Sequence, residues 1–236
     1  MHKSPTGKKK PKTVQKPILR GSVLEAKAAR RGLRVAGSVL ATVFIYLVFG
    51  SLLMIENAFF RLVANAGLVF LCGAFLYMSG ASQGEADVAF GEIMYQREQE
   101  GKDVAPADRA RCFHPLKGAY TAALGALPYV LLALVAAVTA QLQVYGLGVL
   151  PGWVSIYQRQ AEIGDALRYY EQTNALGILD FVHLGARVLL LPFVSMVGSA
   201  NAAAVLWVER LGPLLALLVP GGYALGYSRG LVLRAR

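Results

Sequence analysis

From Val35 to Ile55 the chain runs through VAGSVLATVFIYLVFGSLLMI without an ionisable side chain. At about 1.5 Å per helical residue this covers a hydrocarbon core of about 30 Å, so the stretch predicts a membrane-spanning helix. A short polar break at Glu56, Asn57 and Arg61 follows, and a second apolar run extends from Leu62 to Met78. In lipid the backbone stays helical until it reaches water, so so short a break predicts an antiparallel helical hairpin. Small residues at Gly37, Ala41, Ala64, Ala66, Gly67, Gly73 and Ala74 let two such helices approach closely.

A third run, Ala119 to Ala140, predicts another span, interrupted by Gly125 and Pro128. A proline inside a spanning helix frees a carbonyl and usually kinks the rod, which is read here as structural. The last apolar run, Gly212 to Tyr227, precedes Arg229, Arg234 and Arg236. Between Asn174 and Arg210 the sequence is apolar but punctuated by Asp180, His183, Arg187 and Pro192. The expected architecture is an all-α, polytopic integral membrane protein of about four full spans, with 174–210 embedded at the outer face. Two short crossings in that region give the alternative of six. Gly222, Gly226 and Gly230 recur every four residues and form a candidate helix-packing stripe within the chain.

The intervening polar segments predict amphipathic helices at the interfaces. In 80–118, EADVAFGEIMYQREQ places Phe90, Ile93 and Met94 on one face, with Gly101 as a stop and Pro106 opening another turn. In the outer segment, WVSIYQRQAEIGDALRYYEQ gathers Trp153, Ile156, Tyr157, Ile163 and Leu167 on one side, as an interfacial helix should. Residues 21–34 read as a short interfacial helix leading into the first span.

Composition places the whole in the membrane class, with 56% hydrophobic residues, 16% charged and a mean hydropathy of +0.47. A net charge of +10 suggests nucleic acid until it is located. Before Val35, eleven basic residues (Lys3, Lys8, Lys9, Lys10, Lys12, Lys16, Arg20, Lys27, Arg30, Arg31 and Arg34) face one acid, Glu25. A basic flank beside a span predicts a cytoplasmic amino terminus, and the arginines after Tyr227 predict the same for the carboxyl end. Residues 1–34 are thus a basic, largely disordered cytoplasmic tail and lead-in, uncleaved and suited to anionic lipid. Residues 35–228 form the membrane domain, with loop 80–118 inside and segment 141–210 outside or embedded, and 229–236 form a basic tail. The expected home is the cytoplasmic membrane. Nucleic acid is disfavoured because no aromatic is interleaved to stack a base. Cys72 and Cys112 do not make a disulfide framework.

The candidate chemistry is Asp180, His183 and Arg187, spaced to share one helical face. Ionisable groups near lipid must pair, line a wet cavity or reach the interface. The functional reading is a proton site tuned by Asp180, or an anion or lipid-headgroup site at Arg187. The structural reading, which is preferred, is the polar face of an interfacial helix. Cys112 and His114 lie close in a loop, read as surface, and lack further metal ligands. No nucleotide, metalloprotease or hydrolase motif is present, which weighs against an enzyme, and no cofactor is expected. The leading expectation is an accessory or scaffold subunit partnered by another membrane protein. A small transporter or permease subunit, and an intramembrane lipid-modifying enzyme, are the alternatives.

Overall fold

The first apolar run folds as α1 (Ala28–Leu52), with Arg30, Arg31 and Arg34 in its opening turns. The computed structural model describes residues 17–52, 55, 57–141, 177–198 and 201–234. The amphipathic segment expected at 153–172 and the far amino-terminal tail lie outside the described residues. Over 17–27 the chain is not the expected lead-in helix. Its backbone is bonded elsewhere: the Leu19 N–H donates to the Gly91 carbonyl (3.2 Å) and the Gly21 N–H to the Phe113 carbonyl (3.0 Å). The helix therefore starts only at Ala28.

The second apolar run and the following polar stretch form one rod, α2 (Ala58–Gln99), 42 residues long. Arg61, expected in the connecting break, lies inside its first turns, and Asn57 Oδ1 accepts the Phe59 N–H (3.0 Å) to cap its start. The rod measures about 63 Å, twice a hydrocarbon core, so α2 is far longer than one crossing needs and the polar half beyond Met78 continues as helix. It stops at Gly101, as expected. With φ of +72°, Gly101 donates to Glu98 and Lys102 donates to Arg97, the paired bonds of a Schellman end. Pro106 opens α3 (Pro106–Arg111), and α4 (Lys117–Thr139) runs through Pro128 as one helix.

The later part is more broken than the sequence pattern suggested. It comprises α5 (Ile178–Leu189), α6 (Leu191–Val197), α7 (Ala202–Arg210), α8 (Gly212–Leu215), α9 (Leu218–Ser228) and α10 (Gly230–Arg234). The expected single span over 212–227 is interrupted at Ala216 and Leu217. α5 and α6 meet at 80°, and α7 meets the segment 212–234 at 63°. Proline at the start of α6 and α8 explains both corners, since Pro192 and Pro213 cannot continue a preceding helix. The described residues are all-helical, without strands. Among the described residues three helices, α1, α2 and α4, are long and apolar enough to cross a membrane, or up to five if each bent pair counts as one span.

The side-chain distribution is that of a protein solvated by lipid. Along the apolar part of α4, Ala122, Ala126, Ala133 and Ala136 are buried, whereas Leu127, Leu131, Leu134 and Val138 are exposed. Small residues inside and large ones outside suit a bilayer, where close backbone approach drives association. On α1 and α2, Leu40, Phe44, Phe70, Leu71, Phe75 and Met78 stand at 60% exposure or more. In water these six would forfeit roughly 9–18 kcal/mol, at about 1.5–3 each. That rivals the whole net stability of a domain, about 5–15 kcal/mol.

The contacts divide the chain into two units. The first comprises residues up to Val35, Gly73–Leu124 and Pro220–Arg236. Here α9 and the start of α10 lie directly on α2: Cβ atoms at Gly222, Gly226 and Gly230 would run into the backbone at Gly73, Tyr77 and Gly84. Gly80 and Gly84 on α2 answer with equally close approaches to the Tyr223 and Tyr227 carbonyls. Against the same half of α2 pack Leu19, Met94 and Cys112, and a second cluster of Val88, Phe113 and Tyr227. Ile93, expected beside Met94 on the apolar face, is 50% exposed, because the packed face is set by Val88, Gly91 and Met94. The second unit comprises Ala36–Cys72 and Gly125–Val219. In it the Tyr129 hydroxyl donates to the Ala36 carbonyl (2.7 Å), and Ala133, Leu189 and Ala216 share a core.

Gly226→Ala should destabilise the protein by about 1–3 kcal/mol, because α9 must move off the Tyr77 carbonyl. Gly37→Ala, which meets open space, should be neutral or up to about 1 kcal/mol stabilising from helix propensity. Denaturant unfolding in mixed micelles compares the two directly.

Candidate functional site

Two buried polar clusters stand out, one in each unit. In the first unit the hub is Asp87, 3% exposed, one turn beyond Gln83 on the part of α2 that outruns the apolar stretch. Arg31 of α1 grips it with both nitrogens, Nη1 to Oδ2 at 2.6 Å and Nη2 to Oδ1 at 3.0 Å. Tyr227 of α9 donates its hydroxyl to Oδ2 at 2.7 Å, and Gln83 donates to Oδ1 at 3.1 Å. Both oxygens are thereby satisfied twice, as a buried carboxylate requires.

A second ion pair joins this hub. Glu25, at the end of the extended lead-in, places Oε2 3.5 Å from Arg31 Nη2 and 3.4 Å from Lys117 Nζ. Lys117, only 2% exposed, also donates to the Ala110 (2.7 Å) and Cys112 (2.8 Å) carbonyls at the end of α3. Two cations and two carboxylates give a net charge of zero. The Tyr227 ring stacks on Phe113 at 5.3 Å, closing the cluster on its apolar side. What this arrangement does chemically is hold: every charge has an opposite partner, and five chain segments are tied together.

Cys112 belongs to the same neighbourhood. The sequence placed it in a surface loop, but it is 0% exposed and its thiol donates to the Asp108 carbonyl (3.5 Å). Burial pushes the thiol above its usual range, against the opposing pull of the Lys117 ammonium. Such a thiol is a packing residue and a poor nucleophile. His114 is occupied differently, its Nδ1 accepting the Leu116 N–H (3.2 Å) at the approach to α4. No group of three or more metal-ligating side chains is assembled among the described residues.

The second unit holds the residues singled out from sequence, though not as one triad. Asp180 turns back to accept the Gly177 N–H (2.8 Å), completing the first turn of α5, and bonds to neither His183 nor Arg187. Asp180 thus stands apart from the two residues with which it shares a helical face: at N3 of a helix, a carboxylate finds its nearest donors in the uncapped backbone. His183 and Arg187 instead converge on Glu209 of α7, which is 2% exposed. Arg187 Nε donates to Glu209 Oε1 at 2.5 Å, and His183 Nδ1 stands 3.8 Å from Oε2. On its other side, His183 Nε2 is 3.0 Å from the Thr139 hydroxyl at the end of α4.

Thr139 thus ties the end of α4 to the His183 ring. Its own hydrogen goes to the Val135 carbonyl (2.7 Å), the usual bond of a helical threonine to the preceding turn.

Sequence reasoning missed Asp87, Glu25, Lys117, Tyr227 and Glu209. Asp87 reads as part of an exposed helical face and Lys117 as a topogenic flank, and their partners lie far away in sequence. The available signal was the position of Asp87, one turn from Gly84 and Gly91 on the side that also carries Gly80. No family model, curated protein or solved structure matches the chain. Function therefore has to be read from these two clusters and the surface around them.

Asp87→Asn should cost about 3–5 kcal/mol, because it leaves Arg31 buried without its carboxylate. Tyr227→Phe, which removes one of four donors, should cost about 1–2 kcal/mol. Thermal unfolding of both variants in one detergent tests the order.

Proposed function

We propose that this protein is an accessory or scaffold subunit of a membrane assembly, working by packing rather than by turnover. The observation that carries the reading is the Asp87 cluster. Its charges are mutually compensated and tie the lead-in, α1, α2, α4 and α9 into a rigid block. A substrate site keeps its central polar groups open for a ligand, whereas here Asp87 has four donors and Lys117 two carbonyl acceptors, and only Glu25 Oε2, paired with its cations at 3.4 and 3.5 Å, has no hydrogen bond. The glycine seam between α2 and α9 has the same character, since backbone-to-backbone contact leaves no room for a solute. The lipid-sized apolar faces of α1, α2 and α4 then supply what a neighbouring membrane protein would bind.

The same block supports a topology. The amino-terminal flank bonds to α2 through Leu19 and Gly91, and the carboxyl-terminal flank bonds to it through Arg234 and Glu92 (3.3 Å). Ends that meet on one block lie on one side of the bilayer, which requires an even number of crossings. Four is the count we favour, with α1, α2 and α4 as three of them and the α7 to α9 region as the return. Arginines and lysines at 20, 27, 30, 34, 97, 102, 109, 111, 229 and 234 cluster on this side, so it faces the cytoplasm by the positive-inside rule. The membrane is the cytoplasmic membrane of a bacterial-type cell, where the basic amino-terminal tail meets anionic lipid.

Purification in mild detergent should recover a second membrane protein in fixed stoichiometry. Reporter tags at both ends should be shielded from membrane-impermeant reagents in intact cells. A lone monomer that moves a solute across liposomes would replace the scaffold reading with transport, and an end labelled from outside would overturn the topology.

A further inference from the structure

The start of α2 carries a charge that the chain leaves unanswered. Arg61 lies in its first turns, just after the break between the apolar helices α1 and α2. Among the described residues no carboxylate pairs with it. Its side chain makes one hydrogen bond there, from Nη1 to the Ile55 carbonyl at 3.5 Å, longer than such bonds usually run. The Nε hydrogen is buried without an acceptor. The guanidinium lies against Gly198 at the end of α6, where a Cβ would stand 3.0 Å from Nη2. The carbonyl end of so short a helix offers only a fraction of a unit charge. One turn further along α2, Asn65 is fully buried. Its Nδ2 donates to the Arg61 carbonyl (2.8 Å), so the carboxamide leans back over the same turn, and its Oδ1 has no donor. A buried donor and a buried acceptor thus stand open on one face of α2, an arrangement that costs stability until something bonds to both.

We propose that Arg61 and Asn65 form a binding site for the phosphate of a phospholipid whose headgroup also carries a hydrogen-bond donor, an ammonium or a hydroxyl. The phosphate oxygens accept from the guanidinium, which matches them in charge and in its forked geometry. One negative charge leaves the site neutral, and the headgroup donor answers Asn65 Oδ1. A fatty-acid carboxylate would serve Arg61 and leave Oδ1 bare, and a choline headgroup has the phosphate but no N–H or O–H. The surroundings favour a lipid over free phosphate. Phe59, Phe60, Leu62 and Val63 next to Arg61 are all exposed, so an anion seated there has an apolar surface beside it for acyl chains. An arginine at the end of an apolar helix also reaches the headgroup layer, where it escapes the cost of the hydrocarbon. The site goes beyond the scaffold reading and rests neither on it nor on which way the chain faces.

Native mass spectrometry of the full chain tests this, after lipid is stripped in detergent and phosphatidylethanolamine, phosphatidylglycerol, phosphatidylcholine or inorganic phosphate is added back. Wild type should bind a first molecule of the ethanolamine or glycerol lipid about threefold or more tighter than the choline lipid. Inorganic phosphate should not displace it. Arg61→Gln should weaken this first step at least about tenfold for every lipid and leave the later, annular lipids as in wild type. Asn65→Leu keeps the guanidinium and should erase the preference over choline, which keeps the idea testable if Arg61→Gln does not fold. A folded Arg61→Gln protein that binds its first lipid as wild type does would overturn the proposal. An Asn65→Leu protein that still discriminates against choline would do the same, and inorganic phosphate taking the lipid's place would overturn the choice of ligand.

Discussion

A buried carboxylate has to be satisfied by the protein itself, and Asp87 is satisfied by residues from three separate helices. Arg31 arrives from α1, Tyr227 from α9 and Gln83 from the preceding turn of α2. Leaving any one of them out strands a polar group in a place where water cannot repair it. The placement of α1 and α9 against α2 is thus set by hydrogen-bond completion as well as by shape. The glycine seam is the necessary companion: Tyr227 reaches Asp87 only because Gly80, Gly84, Gly222 and Gly226 let α9 lie against the α2 backbone. Polar completion and small-residue packing are two aspects of one interface.

This explains why α2 is so long. Its first half obeys the lipid and its second half serves as a post on which the flanking segments assemble. The extended lead-in, α3, the start of α4 and the carboxyl-terminal helices all bond or pack there, through Gly91, Glu92, Met94 and Asp87. The rod ends where Gly101 supplies a left-handed residue, and the chain turns back through α3 towards the next apolar helix.

The parts legible in the sequence are those governed by local rules. Uninterrupted apolar length announced α1, α2 and α4; Gly101 and Pro106 announced a stop and a start. The break at Glu56 and the polar residues after Met78 suggested a hairpin followed by a separate interfacial helix, but helical hydrogen bonding does not end where hydrophobicity does, so α2 simply continues. Spacing placed Asp180, His183 and Arg187 on one face, yet the helix start claimed Asp180, and Glu209 from another helix claimed the other two. The four-charge cluster was invisible for the same reason. Glu25, Arg31, Asp87 and Lys117 each look like a flank or a wet face until the fold brings them together, and no local pattern records that Arg31 meets Asp87 across 56 positions.

The central claim is that Arg31 and Asp87 are held as one unit rather than as two independently tolerated charges. A double-mutant cycle of Arg31→Met, Asp87→Leu and the double variant, read by reversible unfolding in bicelles, measures it. The account predicts that each single variant is strongly destabilised, that the double variant recovers most of the loss, and that the coupling reaches about 3 kcal/mol or more. Single effects that add to within about 0.5 kcal/mol would contradict it.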